Sequence, residues 1–254
     1  MNIFRTFSNL LRLAPSSRPL LAASYLEVER AEQLFYLKYL REGMTVLDVG
    51  AHVGQLTLMF SRLVGQAEGQ GCVHAFEPGG EAFRRLANAC QAAGLRNVVL
   101  NNLALADKQG QIRLNVYDDD HLAWSTQALR PLENYGINVR PVSVEEPDAS
   151  TVDLYCEKNA VTKIDLLKID VEGAELQVLI GARNMLESRR IACVAFEFGQ
   201  TTFDMGNEPN QIEGYLSGMG YRIRNLIAGD PVFPGRSSVQ TAQFSMHLAT
   251  PDRL

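Results

Sequence analysis

A chain of 254 residues that is 46% apolar can bury one substantial core. Its net charge of -5 offers no broad basic surface to nucleic acid, and no uninterrupted apolar run approaches the roughly 20 residues of a membrane span. Cys72, Cys90, Cys156 and Cys193 lack metal-type spacing and three fall in apolar patterns, so reduced thiols in a cytoplasmic protein without a secretory signal are expected.

Residues 1–20 set Ile3, Phe4, Phe7, Leu10 and Leu11 among Arg5, Arg12 and Arg18. That pattern suits a helix docked on a sheet edge, or one touching a membrane surface or a partner. Beyond the break at Pro15 and Pro19, Tyr25 to Leu40 predicts an amphipathic helix with Leu34, Leu37 and Leu40 inward, closed by Gly43. We read 1–42 as an N-terminal helical extension and 43–254 as one domain, without repeats or low-complexity tracts.

The domain opens on Thr45 to Gly54, TVLDVGAHVG. Thr45 to Val49 reads as a strand buried on both faces. Asp48, Gly50 and Gly54 follow the pattern D-x-G-x-x-x-G, and Leu56, Met59, Phe60 and Leu63 continue at helical spacing. A strand, a glycine turn and a helix aim free N–H groups and a helix dipole at an anionic group. Glu77 ends the next apolar run, in VHAFEP, where a carboxylate accepts hydrogen bonds from ribose hydroxyls. Asp48 stands where a dinucleotide site has its first glycine. A carboxylate there repels a diphosphate but tolerates an ammonium, so the pattern favours S-adenosylmethionine over NAD.

Phe83, Leu86 and Cys90 mark a helix ended by Gly94, and Asn97 to Asn101 a third strand. The stretch from Asn102 through Ala104 lies at that strand's tip, where Asn102 either meets an adenine or merely makes a turn. Gln111 to Tyr117 should pair with Ile137 to Val144, an edge strand by virtue of Pro141. Between them, Asp118 to Pro131 holds three successive aspartates, His121 and the single tryptophan, Trp124. It reads as a lid over the acceptor or as a solvated acidic loop.

Ile164 to Ile169 predicts a strand, and Gly173 opens a helix with Leu176, Leu179 and Ile180 inward. Asp170 and Glu172 share a face at the strand tip, the position where open α/β sheets bind ligands. The pair invites a metal, but spacing supplies no third ligand, so no metal is expected. Ile191 to Phe198 places Glu197 and Gln200 at the same rim. Pro209 starts a helix with Ile212, Tyr215, Leu216 and Met219 inward and Gly220 at its end. Strands at Tyr221 to Leu226 and Gln243 to Ala249 complete the chain.

DVGAHVG, FEP, NLALAD and DLLKIDVEGAE, in this order, resemble the FkbM-type methyltransferases over about residues 43–226. The resemblance implies a Rossmann-like α/β fold. Its seven-stranded, mostly parallel sheet has an antiparallel last strand and helices on both faces. It also implies S-adenosylmethionine as donor, with O-methylation of a hydroxyl on a sugar, glycolipid or secondary metabolite. By position, Asp48, Gly50 and Gly54 would hold the methionine moiety, Glu77 the ribose, Asn102 and Ala104 the adenine, and Asp170 the methyl and acceptor. His52 stands where the family usually has Asn; a histidine can still donate to the donor's carboxylate.

A hydroxyl acceptor needs a base, for which Asp170, Glu172 and His121 are the candidates. A nucleic-acid or N-directed methyltransferase shares the fold, yet the acidic balance and the lack of an Asn/Asp-Pro-Pro-Tyr/Phe motif argue against it. A non-catalytic nucleoside-binding module would lose the first motif or the KIDVEG acid, and both are present. The acceptor is therefore expected to be a small molecule or carbohydrate.

Overall fold

The computed structural model describes residues 23–65 and 71–252. The expectation for residues 1–20 lies outside them. The main sheet has seven strands: β1 Thr45–Val49, β2 Cys72–Phe76, β3 Val98–Asn101, β4 Leu166–Ile169, β5 Val194–Phe198, β6 Tyr221–Asn225 and β7 Ser245–Pro251. Their order is β6-β7-β5-β4-β1-β2-β3. Only β7 runs against the rest, antiparallel to both β5 and β6. The order reverses between β1 and β4, which are parallel neighbours, and a crevice at such a reversal is where α/β folds hold ligands.

Side chains alternate across a strand, so residue parity divides the core in two. Leu47, Val49, Leu167, Ile169, Phe196 and Phe198 face one way. There they pack on helices α5 (Glu175–Gly181) and α8 (Pro209–Gly218), through Leu176, Leu179, Ile212 and Leu216. Val46, Val73, Leu166 and Ala195 face the other way, toward α1 (Tyr25–Tyr39) and α2 (Gln55–Val64). The same parity carries Asp48, Lys168, Asp170 and Glu197 to the α1–α2 side. The remaining helices are α3 Gly80–Ala92, α4 Val152–Lys158, α6 Arg183–Glu187 and α7 Gln200–Asp204. No helix among the described residues is long and apolar enough to cross a membrane.

Three expectations change. Leu34 and Leu37 are 53% and 50% exposed, and the inward stripe of α1 runs through Val28, Glu32, Tyr36 and Leu40 at intervals of one turn. Tyr36 fits edge-on against Phe60, at 4.8 Å between centroids, and this contact with α2 selects the stripe. Ile180 is likewise partly exposed while Leu176 and Leu179 are buried. The strand expected from Gln111 to Tyr117 divides. Gly110–Gln111 pairs with Asp148–Ser150, and Leu114–Val116 with Ser143–Glu145. The partner chain breaks between them at Pro147, which has no N–H to give a ladder, and Ile137 to Val142 forms no strand.

Gly50 turns the chain out of β1 at φ +77°. A Cβ there would meet the carbonyl oxygen of Asp170 at 1.8 Å, so the turn and the β4 tip are in direct backbone contact. Gly50→Ala therefore combines left-handed strain of about 1–2 kcal/mol with this overlap. A fall in the urea midpoint exceeding that of an exposed Gly→Ala control checks it.

Candidate functional site

A cavity of about 1080 Å³ opens over the carboxyl ends of β1, β2, β4 and β5. That is at the top of the roughly 300–1,000 Å³ usual for one small ligand, so two small molecules have room side by side. Its walls include Tyr25, Glu29 and Glu32 of α1, the turn from Gly50 to Val53, Glu77, Ala104, Trp124, Asp170, Glu172 and Glu197.

Lys168, in the middle of β4, organises the floor. Register sets it beside Asp48 of β1, and both are buried. Its ammonium lies 3.3 Å from Asp48 Oδ1 and 3.6 Å from Asp170 Oδ2, and donates to the Gly50 carbonyl at 2.8 Å. Burial opposes the charge, but Asp48, Asp170 and Glu32 outweigh it and hold the lysine protonated well above its usual range. Thr57 of α2 donates to the second Asp48 oxygen at 2.6 Å. Asp48 is thus 0% exposed and absent from the cavity wall: Oδ2 accepts from Thr57, while Oδ1 has the Lys168 ion pair but no hydrogen bond. Gly54, at φ +92°, also stands off the cavity and packs under α3, where a Cβ would meet Leu86 Cδ1 at 2.6 Å.

The turn's other members do face the cavity. His52 adopts φ +50°, a left-handed conformation that Asn and His enter more readily than most residues. Its N–H donates to Glu77 Oε2 at 2.8 Å. Its Nε2 is buried without a hydrogen-bond partner, and burial keeps the ring neutral by lowering its pKa. Glu77 is 8% exposed; Gly79 N–H donates to its other oxygen at 2.9 Å. Burial lifts this carboxyl to about 7, against the pull of the two N–H groups.

Asn102 donates its amide to the carbonyls of Glu77 and Pro78, at 2.9 and 3.0 Å, and does not line the cavity. It fixes the turn under Glu77, while Leu103, Ala104 and Leu105 form an apolar wall.

At the β4 tip, Asp170, Glu172 and Glu197 come together, each offering an oxygen within 4.8 Å of the others. Spacing had offered no third carboxylate for Asp170 and Glu172; the fold supplies one from β5. Glu197 is 8% exposed, and burial, then the charges of Asp170 and Glu172, raise its pKa well above normal. Glu172 sits at φ +55° and its carboxylate lies 3.5 Å from Arg130. Burial raises its pKa too, with Arg130 opposing. Arg130 also meets Asp204 at 3.3 Å, Tyr135 donates to Asp204, and Thr126 donates to the Glu172 carbonyl.

These bonds latch the segment from Asp118 to Pro131 to the β4 tip. Trp124 is 6% exposed, packed with Tyr117 and Leu132, and contributes to the cavity wall. His121 is not on that wall: its Nδ1 is 2.6 Å from Asp118, and its ring lies 4.5 Å from that of Trp124.

Sequence reasoning missed Lys168 and Glu32. A lysine inside the apolar run LLKI was a usable signal, because a charge on a buried strand requires a partner. Nothing in the sequence pointed to Glu32.

A family model described as a methyltransferase FkbM domain matches residues 48–223. The 31-O-demethyl-FK506 methyltransferase FkbM of Streptomyces tacrolimicus is 31% identical over 233 residues, covering 82% of this chain and 84% of that protein. The 2-O-methyltransferase NoeI of Sinorhizobium fredii (strain NBRC 101917 / NGR234) is 26% identical over 151 residues, covering 57% and 60%. Among solved structures, a methyltransferase FkbM from Methylobacillus flagellatus KT aligns at 14% identity with a TM-score of 0.48, covering 97% of this chain and 59% of that one.

Two predictions follow from the floor and wall. Lys168→Met leaves Asp48 buried and uncompensated, and should cost about 3–5 kcal/mol of unfolding free energy in urea titration. Glu77 binds its proton more tightly in the native state than in the unfolded chain, whose carboxyl titrates near 4.5. Its stabilising contribution is complete below that pH and is lost as pH rises through about 7, on the order of 3 kcal/mol. The ligand-free protein should therefore lose stability between pH 5 and pH 8, and Glu77→Gln should flatten that decline.

Proposed function

We propose, since the chain belongs to the methyltransferase FkbM domain family, that it moves a methyl group from S-adenosylmethionine to a hydroxyl oxygen of a small-molecule or carbohydrate acceptor. The observation that carries this reading is the Asp170 carboxylate at the β4 tip. It lines one cavity with the glycine turn and Glu77. One relative is named a 2-O-methyltransferase and the other a 31-O-demethyl-FK506 methyltransferase, which supports oxygen as the atom methylated.

The residues fit the donor. Glu77 is already fixed by two N–H groups and has lone pairs left for ribose hydroxyls. His52 Nε2, buried and unpartnered, suits a carboxylate. Leu103, Ala104 and Leu105 offer the adenine an apolar face. When bound, S-adenosylmethionine supplies an electrophilic methyl on a sulfonium.

The protein's share is alignment and proton removal. Orientation of reacting groups is worth up to about 7–11 kcal/mol. Asp170 takes the hydroxyl proton as oxygen attacks, and the neighbouring Glu197, kept toward the neutral form by burial and by the Asp170 charge, holds its own proton and adds no charge beside the base. Glu172, facing Arg130, positions the acceptor side of the cavity. His121, hydrogen-bonded to Asp118 and off the cavity wall, has no part in this scheme. The two cations on the described wall, Lys168 and Arg130, both face carboxylates, so a neutral polyol suits the cavity better than an anionic acceptor.

Transfer of labelled methyl to hydroxyl-bearing acceptors tests the scheme. Asp170→Asn should lower turnover about 10²-fold or more with folding intact, and near-normal turnover in that variant would overturn the assignment. The three-carboxylate cluster also favours a second reading, a divalent cation that orients the acceptor oxygen. Loss of activity on chelation, restored by Mg²⁺, would establish it.

A further inference from the structure

The S-adenosylmethionine reading raises a question about the donor's amino-acid tail. Asp48 was the carboxylate expected to meet its ammonium, yet Asp48 is fully buried between Thr57 and Lys168 and is absent from the cavity wall. The Gly50 carbonyl, a second acceptor at the turn, already receives the Lys168 ammonium. The tail therefore needs another anion at this end of the cavity.

Glu32 has the required properties. It lies on the inward stripe of α1 and lines the cavity. Tyr36, one turn later, donates its hydroxyl to Glu32 Oε1 at 2.7 Å and orients the carboxylate. Among the described residues no cation comes within 4.0 Å of it, whereas Lys168 and Arg130 are each paired with carboxylates. The charged groups that act on it are Asp170 and Lys168 from β4 and its tip, and Asp48 from β1. Glu32 and His52 line the same cavity as Lys168 and Asp170.

We infer that Glu32 of α1 binds the ammonium of the donor's amino-acid tail, while the buried His52 Nε2 on the same cavity suits its carboxylate. The inference rests on S-adenosylmethionine being the donor. It makes a helix that precedes the family-matched segment, residues 48–223, part of the donor site. Burial raises the Glu32 carboxyl to about 7 in the empty cavity, with the Tyr36 hydrogen bond and Lys168 opposing. A cation at this point draws the proton off.

Calorimetric binding of S-adenosylhomocysteine, which keeps the tail, and of 5′-methylthioadenosine, which lacks it, tests the inference without turnover. Glu32→Gln retains the acceptor for Tyr36 and removes the charge. The variant should bind S-adenosylhomocysteine roughly 10–100-fold more weakly, the range for a lost hydrogen bond to a charged group, and 5′-methylthioadenosine unchanged. Equal affinity of wild type and variant for S-adenosylhomocysteine overturns the inference alone. Equal weakening of both ligands also overturns it, because Glu32 then acts only through the fold. Should wild type bind neither ligand, the donor reading fails and the inference with it. The wild-type protein provides a check that does not depend on the variant folding. Between pH 5.5 and 8 the ratio of the two affinities should shift toward S-adenosylhomocysteine as Glu32 ionises. A ratio that shifts the other way overturns the inference.

Discussion

The buried ammonium of Lys168 is the contact on which the site depends. Two chain segments distant in sequence meet at one nitrogen: Asp48 and the Gly50 carbonyl at the end of β1, and Asp170 two residues beyond Lys168 at the end of β4. Burying a lysine and an aspartate from water costs several kcal/mol per ion, and only close pairing offsets that. The pairing holds only in the observed register, since a slip by one residue would turn Lys168 to the opposite face of the sheet. The ion pair therefore contributes definition more than stability. It fixes where β1 ends relative to β4, and so where the turn and the rim carboxylates stand.

Around this point the cavity concentrates carboxyl groups whose burial favours the neutral form. Glu32 and Glu77 are both lifted to about 7, and Glu197 is raised further by its acidic neighbours. Such an arrangement is costly in an empty protein and is relieved by a ligand that carries positive charge or donates hydrogen bonds. A sulfonium nucleoside with an ammonium does both. An NAD diphosphate would add negative charge to the same walls, so the physical case against a dinucleotide is stronger in the structure than in the Asp48 substitution alone.

The parts of this arrangement that were legible in the sequence are local. A β-branched run, a glycine turn and an apolar helix sit next to one another in the chain, so β1, Gly50 and α2 could be read directly. Strand-end acids such as Glu77 and Asp170 are equally local, because the end of a strand marks the rim. The rest depends on choices between near-equal alternatives. The helix α1 turns its more apolar stripe, with Leu34 and Leu37, to solvent, and the contact of Tyr36 with Phe60 decides for the other. Asn102 had an amide equally suited to a base or to a turn, and the carbonyls of Glu77 and Pro78 claimed it. Glu197 met Asp170 only because β5 lies beside β4, a fact of sheet order rather than of spacing.

The packing of α1 has a further consequence for the order in which the site is made. Tyr25 packs tilted against Phe244 at 4.7 Å between ring centroids, the Ala23 N–H donates to Asp230, and α1 packs on β7, so an early segment and a late one meet beside the cavity. During synthesis β1, α2 and β2 leave the ribosome well before β7, and residues 23–39 have no β7 to lie against until the sheet is complete. Contacts of such long sequence separation close late. The glycine turn can form on a partial chain, but a cavity enclosed by Glu32 exists only on a finished one. The α1 wall of the cavity is thereby the part that gains its full support last, after the glycine turn and the helix behind it are in place.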